Sequence, residues 1–176
     1  FPAPVDWRYN EKLAGRMRPV TEIGTHWLDT VQYISGRKVT GISADFGRFY
    51  PERYLEDGVM YPDSDGGRIK EKIQVRSEDA AAVNLRFDNG AIGSVVLSEV
   101  SQGHINRLSL EVTGEKENLW WNSEDNNLLH TAVKGGGVQS EIFAFGNGFM
   151  DTFRNLVEYF YNDVKAGGPC DHPVYP

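Results

Sequence analysis

The stretch AAAVNLRFDNGAIGSVVLSEV, residues 80–100, decides the fold. Apolar and polar side chains alternate through its first eight residues. That puts Ala81, Val83, Leu85 and Phe87 on one face of an extended chain. Asp88-Asn89-Gly90 is a strong hairpin signal, because Asn and Gly accept the positive φ of tight turns. AIGSVVLSEV then returns as a second strand. Downstream, INRLSLEV (105–112) puts Leu108, Leu110 and Val112 on one face. TGEKEN turns, LWW opens another strand, SEDNN turns again and LLHTAV follows. Consecutive strands with short turns predict an antiparallel meander. Past Gly135–Gly137 comes a helix, in which Phe149, Phe153, Leu156, Val157, Phe160 and Val164 form an apolar stripe that Gly167 closes.

Upstream of residue 80 the pattern is less regular. Residues 1–20 read as loop or a short helical turn. TEIGTHWLDTVQYISG (21–36) reads as a helix capped by Thr21, with Val20, Ile23, Trp27, Val31 and Ile34 as its apolar stripe. Gly36 stands at the C-terminal cap, followed by Arg37 and Lys38. KVTGISADFGRFY (38–50) predicts a strand. Residues 51–78 are a Gly-, Asp- and Pro-rich excursion holding a short hairpin, with RIKEKIQVR as its strand. The order of helix, strand, excursion, meander and helix predicts one α+β domain over residues 1–176. Its sheet is open and mostly antiparallel, with helices packed on one face.

The 176 residues carry a net charge of -7 and no basic run, which argues against a nucleic-acid surface. No apolar stretch approaches the roughly 18 residues of a membrane span. The one cysteine, Cys170, permits neither an internal disulfide nor a cysteine-based zinc site, which fits the cytoplasm. The chain starts at Phe1 without Met and ends in DHPVYP, so a piece of a longer protein is expected.

One stripe of the first helix is unusual. At 100° per residue Glu22, His26, Asp29 and Tyr33 fall within about 60° of one another, and the apolar stripe lies roughly 130° away. A solvated face would account for them, although the stripe lacks the Lys and Arg usual there. A site for proton transfer is the competing reading. Histidine titrates near neutrality, and a carboxylate one turn earlier, here Glu22, can hydrogen-bond its ring and select the tautomer. Glu22 and His26 would also make half a metal site, but no third ligand stands at diagnostic spacing, so no metal is expected. Among the other histidines, His130 lies in an apolar strand, His172 in the tail, and His104 after SEVSQG, in a loop or lining a pocket. Trp7 and Arg8 offer a stacking ring and a cation to a ligand, or are a core Trp beside a surface Arg. Trp120 and Trp121 point to opposite faces of their strand, one into the core and one onto the open face.

Four segments carry a family resemblance: RPVTEIGTHWLDTVQYISGRKVTGISADF, EDAAAVNLRFDNGAIGSVVLSEVS, NRLSLEVTGEKENLWW and GFMDTFRNLVEYFYNDVKAG. In order and spacing they resemble the C-terminal domain of the Gfo/Idh/MocA oxidoreductases, which include glucose-fructose oxidoreductase, inositol dehydrogenase and many sugar dehydrogenases. Their most specific element is the acid-x-x-x-His-x-x-Asp helix followed by a glycine and a strand. The resemblance implies a fold like the C-terminal domain of glyceraldehyde-3-phosphate dehydrogenase. An N-terminal Rossmann domain binding NAD or NADP would lie outside this chain, and the open sheet face would build a homodimer or homotetramer. His26 matches the family's catalytic histidine, which exchanges the hydroxyl proton while hydride moves to or from nicotinamide. Glu22 falls where the family usually has Asp, one methylene longer. Asp29 matches the motif's later Asp, and Trp7-Arg8 looks like a Trp-Arg pair placed near cofactor and substrate. Ser101, Gln102, His104 and Asn106, between two strands, would add substrate contacts. Neither a G-x-G-x-x-G, to which Gly135–Gly137 and Gly146-Asn147-Gly148 do not amount, nor the family's Glu-Lys-Pro motif occurs here. The expectation is therefore the substrate-side domain of an enzyme that interconverts a secondary alcohol and a ketone on a sugar or cyclitol, inactive on its own. The alternative is a non-catalytic binding or scaffold module that pairs through its open sheet face.

Overall fold

The computed structural model describes residues 3–4, 7–61, 71–104, 106–143 and 149–167. The readings made for Gly146-Asn147-Gly148, Cys170 and His172 lie outside them. The chain forms two compact units, Phe1–His104 and Ile105–Pro176, each taken by itself below. The architecture is α+β, and every described strand pair is antiparallel.

The first unit holds two sheets. In one, β6 (Ala80–Phe87) lies between β2 (Val39–Gly47) and β7 (Ile92–Ser98). The β6–β7 hairpin is the expected one. Its three-residue connection places Gly90 at φ 84°, while the Phe87 N–H donates to the Ala91 carbonyl. Ala81, Val83, Leu85 and Phe87 are buried, as their alternation predicts, and Leu97 of β7 joins them. The opposite side, with Ala82, Asn84, Arg86, Ile92 and Val96, is exposed.

The second sheet occupies the expected excursion and has the order β1 (Ala3–Pro4), β4 (Val59–Tyr61), β3 (Glu52–Glu56), β5 (Glu71–Gln74). Asp57-Gly58, with φ 47° and 80°, closes the β3–β4 hairpin as a two-residue turn with both residues left-handed.

Helical structure in this unit begins with a 3-10 turn (Trp7–Tyr9) and α1 (Glu11–Ala14), which Asn10 caps by accepting the Lys12 N–H at 3.0 Å. The main helix differs from the expectation at its start. A π turn (Val20–Gly24) leads into α2 (Thr25–Ser35), and the chain is already helical at Pro19. Thr21 therefore lies inside the helix and is not its cap; its hydroxyl donates back to the carbonyls of Met17 and Arg18. The cap comes from far along the chain, where Glu78 Oε1 accepts the N–H groups of Arg18 (2.8 Å) and Val20 (3.1 Å). A π turn takes an extra residue per turn, so a 3.6-residue wheel slips phase across it. Gly24 and Val31 are buried and Trp27 and Leu28 half-buried, while Ile34, expected in the apolar stripe, is exposed. Gly36 ends α2 as expected, in the left-handed region (φ 62°), its N–H bonded to the Gln32 carbonyl.

The second unit is a meander of β8 (Ser109–Thr113), β9 (Glu117–Asn122), β10 (Leu128–Val133) and β11 (Val138–Ile142), then α3 (Phe149–Ala166). β11 was not expected. Its residues are all exposed, so no apolar alternation marks it, and it exists by pairing with β10. Trp120 and Trp121 do face opposite ways. Trp121 shares a side with buried Leu110, and Trp120 stacks on His130 at 5.2 Å, whose Nδ1 is 2.8 Å from Ser140 Oγ. Gly167, at φ 60°, closes α3, while its apolar Phe153, Leu156, Phe160 and Val164 are exposed.

Candidate active site

The site is organised around a buried ionic cluster in the first unit. Asp79 is 0% exposed and directly precedes β6. Its Oδ1 accepts from Arg18 Nη2 (2.7 Å) and Arg53 Nη2 (3.2 Å), and its Oδ2 from the N–H groups of Phe49 (2.7 Å) and Tyr50 (2.9 Å). Arg18, 1% exposed, also places Nε 2.6 Å from Glu99 Oε2. Each buried charge thus meets an opposite charge, the condition under which such groups are tolerated. The Arg18 guanidinium stands 4.3 Å from the Tyr9 ring and that of Arg53 5.8 Å from it; Arg53 also lies 4.6 Å from the Tyr50 ring. Burial pushes the Glu99 carboxyl above its ordinary range, with the charge of Arg18 opposing. Burial likewise pushes the Tyr9 hydroxyl up, again against Arg18.

Two of the expected site residues, Arg8 and Glu22, sit beside this cluster. Arg8 follows Trp7 in the 3-10 turn, with its guanidinium 4.9 Å from the indole, which is 53% exposed. Arg8 Nε donates to Glu22 Oε2 at 2.5 Å, joining two residues 14 positions apart. Glu22 is on the π turn, and His26 is on the first turn of α2. The Glu22 carboxylate is thus engaged by Arg8 and not by His26. The His26 imidazole is exposed and makes no side-chain hydrogen bond among the described residues. Asp29, one turn further, is exposed as well. A cleft of about 80 Å³ beside Arg8 is lined also by Tyr9, Glu11, Gly15, Gln74, Arg76 and Ser77.

The structure joins the Trp7-Arg8 turn to Glu22 through the Arg8–Glu22 pair, and His26 follows one turn after Glu22 on α2. Ser101, Gln102 and His104 follow β7 and are exposed; the Ser101 hydroxyl lies 2.9 Å from that of Ser98. Asn106 belongs to the second unit, where its carbonyl accepts from the Ser123 hydroxyl. Among the described residues no three or more His, Cys, Asp or Glu side chains are grouped to hold a metal ion, and no helix is long and apolar enough to cross a membrane.

Sequence reasoning missed Tyr9, Arg18, Arg53, Glu78, Asp79 and Glu99. A signal for one was present. Position 79 continues the parity of Ala81, Val83 and Leu85, so the alternation places a carboxylate in line with the buried face. A charge there calls for a buried partner.

Known proteins are similar to this chain. The family profile described as the GFO/IDH/MocA C-terminal domain matches residues 1–120. A levoglucosan dehydrogenase from Pseudarthrobacter phenanthrenivorans is 29% identical over 133 residues, which covers 74% of this chain and 33% of that protein. The crystal structure of an oxidoreductase domain protein from Kribbella flavida superposes with a TM-score of 0.83 at 23% identity, covering 96% of this chain and 48% of that one. A solved levoglucosan dehydrogenase, in complex with NADH and L-sorbose, superposes with a TM-score of 0.80 at 25% identity, covering 94% of this chain and 46% of that one. The chain spans less than half the length of each of these relatives. With the family profile covering most of the chain, and with sheets and helices that superpose on these relatives, the chain belongs to the Gfo/Idh/MocA family and carries its C-terminal domain.

Proposed function

We propose that residues 1–176 act as the single substrate-side and assembly domain of an NAD(P)-dependent oxidoreductase. It interconverts a secondary alcohol and a ketone on a sugar or cyclitol, with His26 exchanging the hydroxyl proton. The observation that carries this reading is the placement of His26. Its imidazole is exposed and makes no side-chain hydrogen bond among the described residues, one turn after the Arg8–Glu22 ion pair, on a helix lying within the family match. A proton acceptor must be reachable by substrate, with at least one ring nitrogen open to it. The relatives that bind NADH and a sugar, or are named as levoglucosan dehydrogenase, support the cofactor and substrate classes.

Nicotinamide, when bound, supplies the hydride donor or acceptor, and the dinucleotide fold that holds it belongs to another part of the protein. This chain's own fit to the cofactor is limited to Trp7 and Arg8, an exposed indole face next to a cation. Arg8 and Glu22 together present donors and acceptors to substrate hydroxyls. Because Glu22 answers Arg8, its task is to fix that guanidinium and bind hydroxyls, and the substrate itself completes the hydrogen bonding of His26. Asp29, Gln102, His104 and Asn106 are further candidates for substrate contact. The isolated chain is expected to be inactive.

The test is a full-length enzyme assayed against levoglucosan, L-sorbose and inositols with NAD and NADP. His26→Ala is expected to lower kcat by roughly 10²–10⁴-fold with an unchanged melting temperature. Wild-type turnover in that variant would end the assignment. A second reading, a non-catalytic module that pairs through its sheet, is favoured by one observation. The open face of the β2-β6-β7 sheet shows Ile92 at 79% and Val96 at 75% exposure. The same face would serve a catalytic homodimer or homotetramer, so sedimentation of the full-length protein together with the assay separates the two.

A further inference from the structure

The two halves of the proposed site share one buried anchor. The π turn that carries Glu22 is fixed at Arg18, whose N–H is held by Glu78 and whose carbonyl accepts the Glu22 N–H at 2.9 Å. The 3-10 turn that carries Arg8 is fixed one residue later, where the Tyr9 ring lies against the guanidiniums of Arg18 and Arg53. Those guanidiniums are themselves fixed, both bonded to one oxygen of Asp79. From these contacts we infer that Tyr9 is a positioning residue for the proposed reaction: its ring, laid on Arg18 and Arg53, sets where Arg8 meets Glu22 and so the substrate-binding pair one turn before His26. The Tyr9 hydroxyl has no part in this. The ring face does the work, since a cation attracts an aromatic face and not an aliphatic chain. The inference rests on the proposed role of His26 and names a residue that acts through Arg8.

The experiment compares Tyr9→Leu and Tyr9→Phe in the full-length enzyme, with whichever of levoglucosan or inositol it oxidises with NAD. Tyr9→Leu is expected to keep the melting temperature within a few degrees while kcat/KM falls about tenfold or more, mostly through KM, because small misplacements of substrate-holding groups are costly. Tyr9→Phe is expected to restore wild-type values. In an Arg8→Ala background Tyr9→Leu should add little, because the residue it positions is gone. If Tyr9→Leu does not accumulate folded, Tyr9→Met takes its place. Unchanged KM and kcat in Tyr9→Leu, or its full effect persisting without Arg8, would overturn the inference. His26→Ala measured in parallel separates the two claims. Lost turnover there with a silent Tyr9→Leu removes only the positioning role, while wild-type turnover there removes both.

Discussion

At the scale of single residues, the dominant fact is a carboxylate with no access to water. Asp79 compensates two guanidiniums and two backbone N–H groups. Asp79→Asn keeps the shape and removes the charge, leaving Arg18 and Arg53 less compensated. A loss of about 3–5 kcal/mol is expected, read as a shift of the urea midpoint at constant slope. Glu99 makes a prediction about pH. Its side chain is 27% exposed, and burial raises its folded-state pKa above the ordinary 4.5. A group raised on folding contributes stability that is full below the unfolded pKa and is lost as pH rises through the folded one. Urea midpoints measured at pH 4.5 and pH 7 should therefore move in favour of Glu99→Gln, relative to wild type, at the higher pH. The opposite trend would mean that the Arg18 pairing outweighs burial.

At the scale of elements, the join between helix and sheet is the sensitive point. A Cβ at Gly24 would lie 2.8 Å from Leu97 Cδ1, so the π turn sits on β7 with no room for a methyl group. The clash is with the end of a flexible side chain, and Gly24→Ala should cost about 1–3 kcal/mol rather than prevent folding. Leu97→Ala removes the obstacle. The double variant should be more stable than the sum of the two losses by about 1 kcal/mol, the mark of direct contact. Simple additivity in thermal unfolding would place the strain elsewhere. Much at this scale was legible in the chain itself. Alternation gave β6, Asn89-Gly90 gave the hairpin, and Gly36 gave the helix end, because each is a local backbone preference. Asp57-Gly58 was equally legible and marks the β3–β4 turn. The helix start was not, because its cap is a side chain 58 to 60 residues away.

At the scale of the whole molecule, the chain leaves much apolar surface in water. Ile92 and Val96 on the open sheet face, and Phe153, Leu156, Phe160 and Val164 on α3, are all exposed. Large apolar side chains exposed in this number normally face a partner. The 176-residue chain should therefore bind more anilinonaphthalene sulfonate per molecule than a longer chain carrying the dinucleotide domain. Equal dye fluorescence from both would show that a dinucleotide domain covers none of it.

The sequence by itself determined the α+β class, most strands and both long helices, and its resemblance to the family named His26 and Glu22, the latter in place of the usual Asp, as site candidates. The class and its elements follow from periodicity and local turn chemistry, which are properties of neighbouring residues. Only the tertiary structure decided that Glu22 turns to Arg8, that Thr21 is not the cap and that Ile34, at the end of the predicted stripe, is exposed. It alone revealed the cluster of Arg18, Arg53, Asp79 and Glu99, drawn from four separate stretches of chain. Charge pairing acts through space over a few ångströms, and spacing along a chain carries no record of which distant charges will meet.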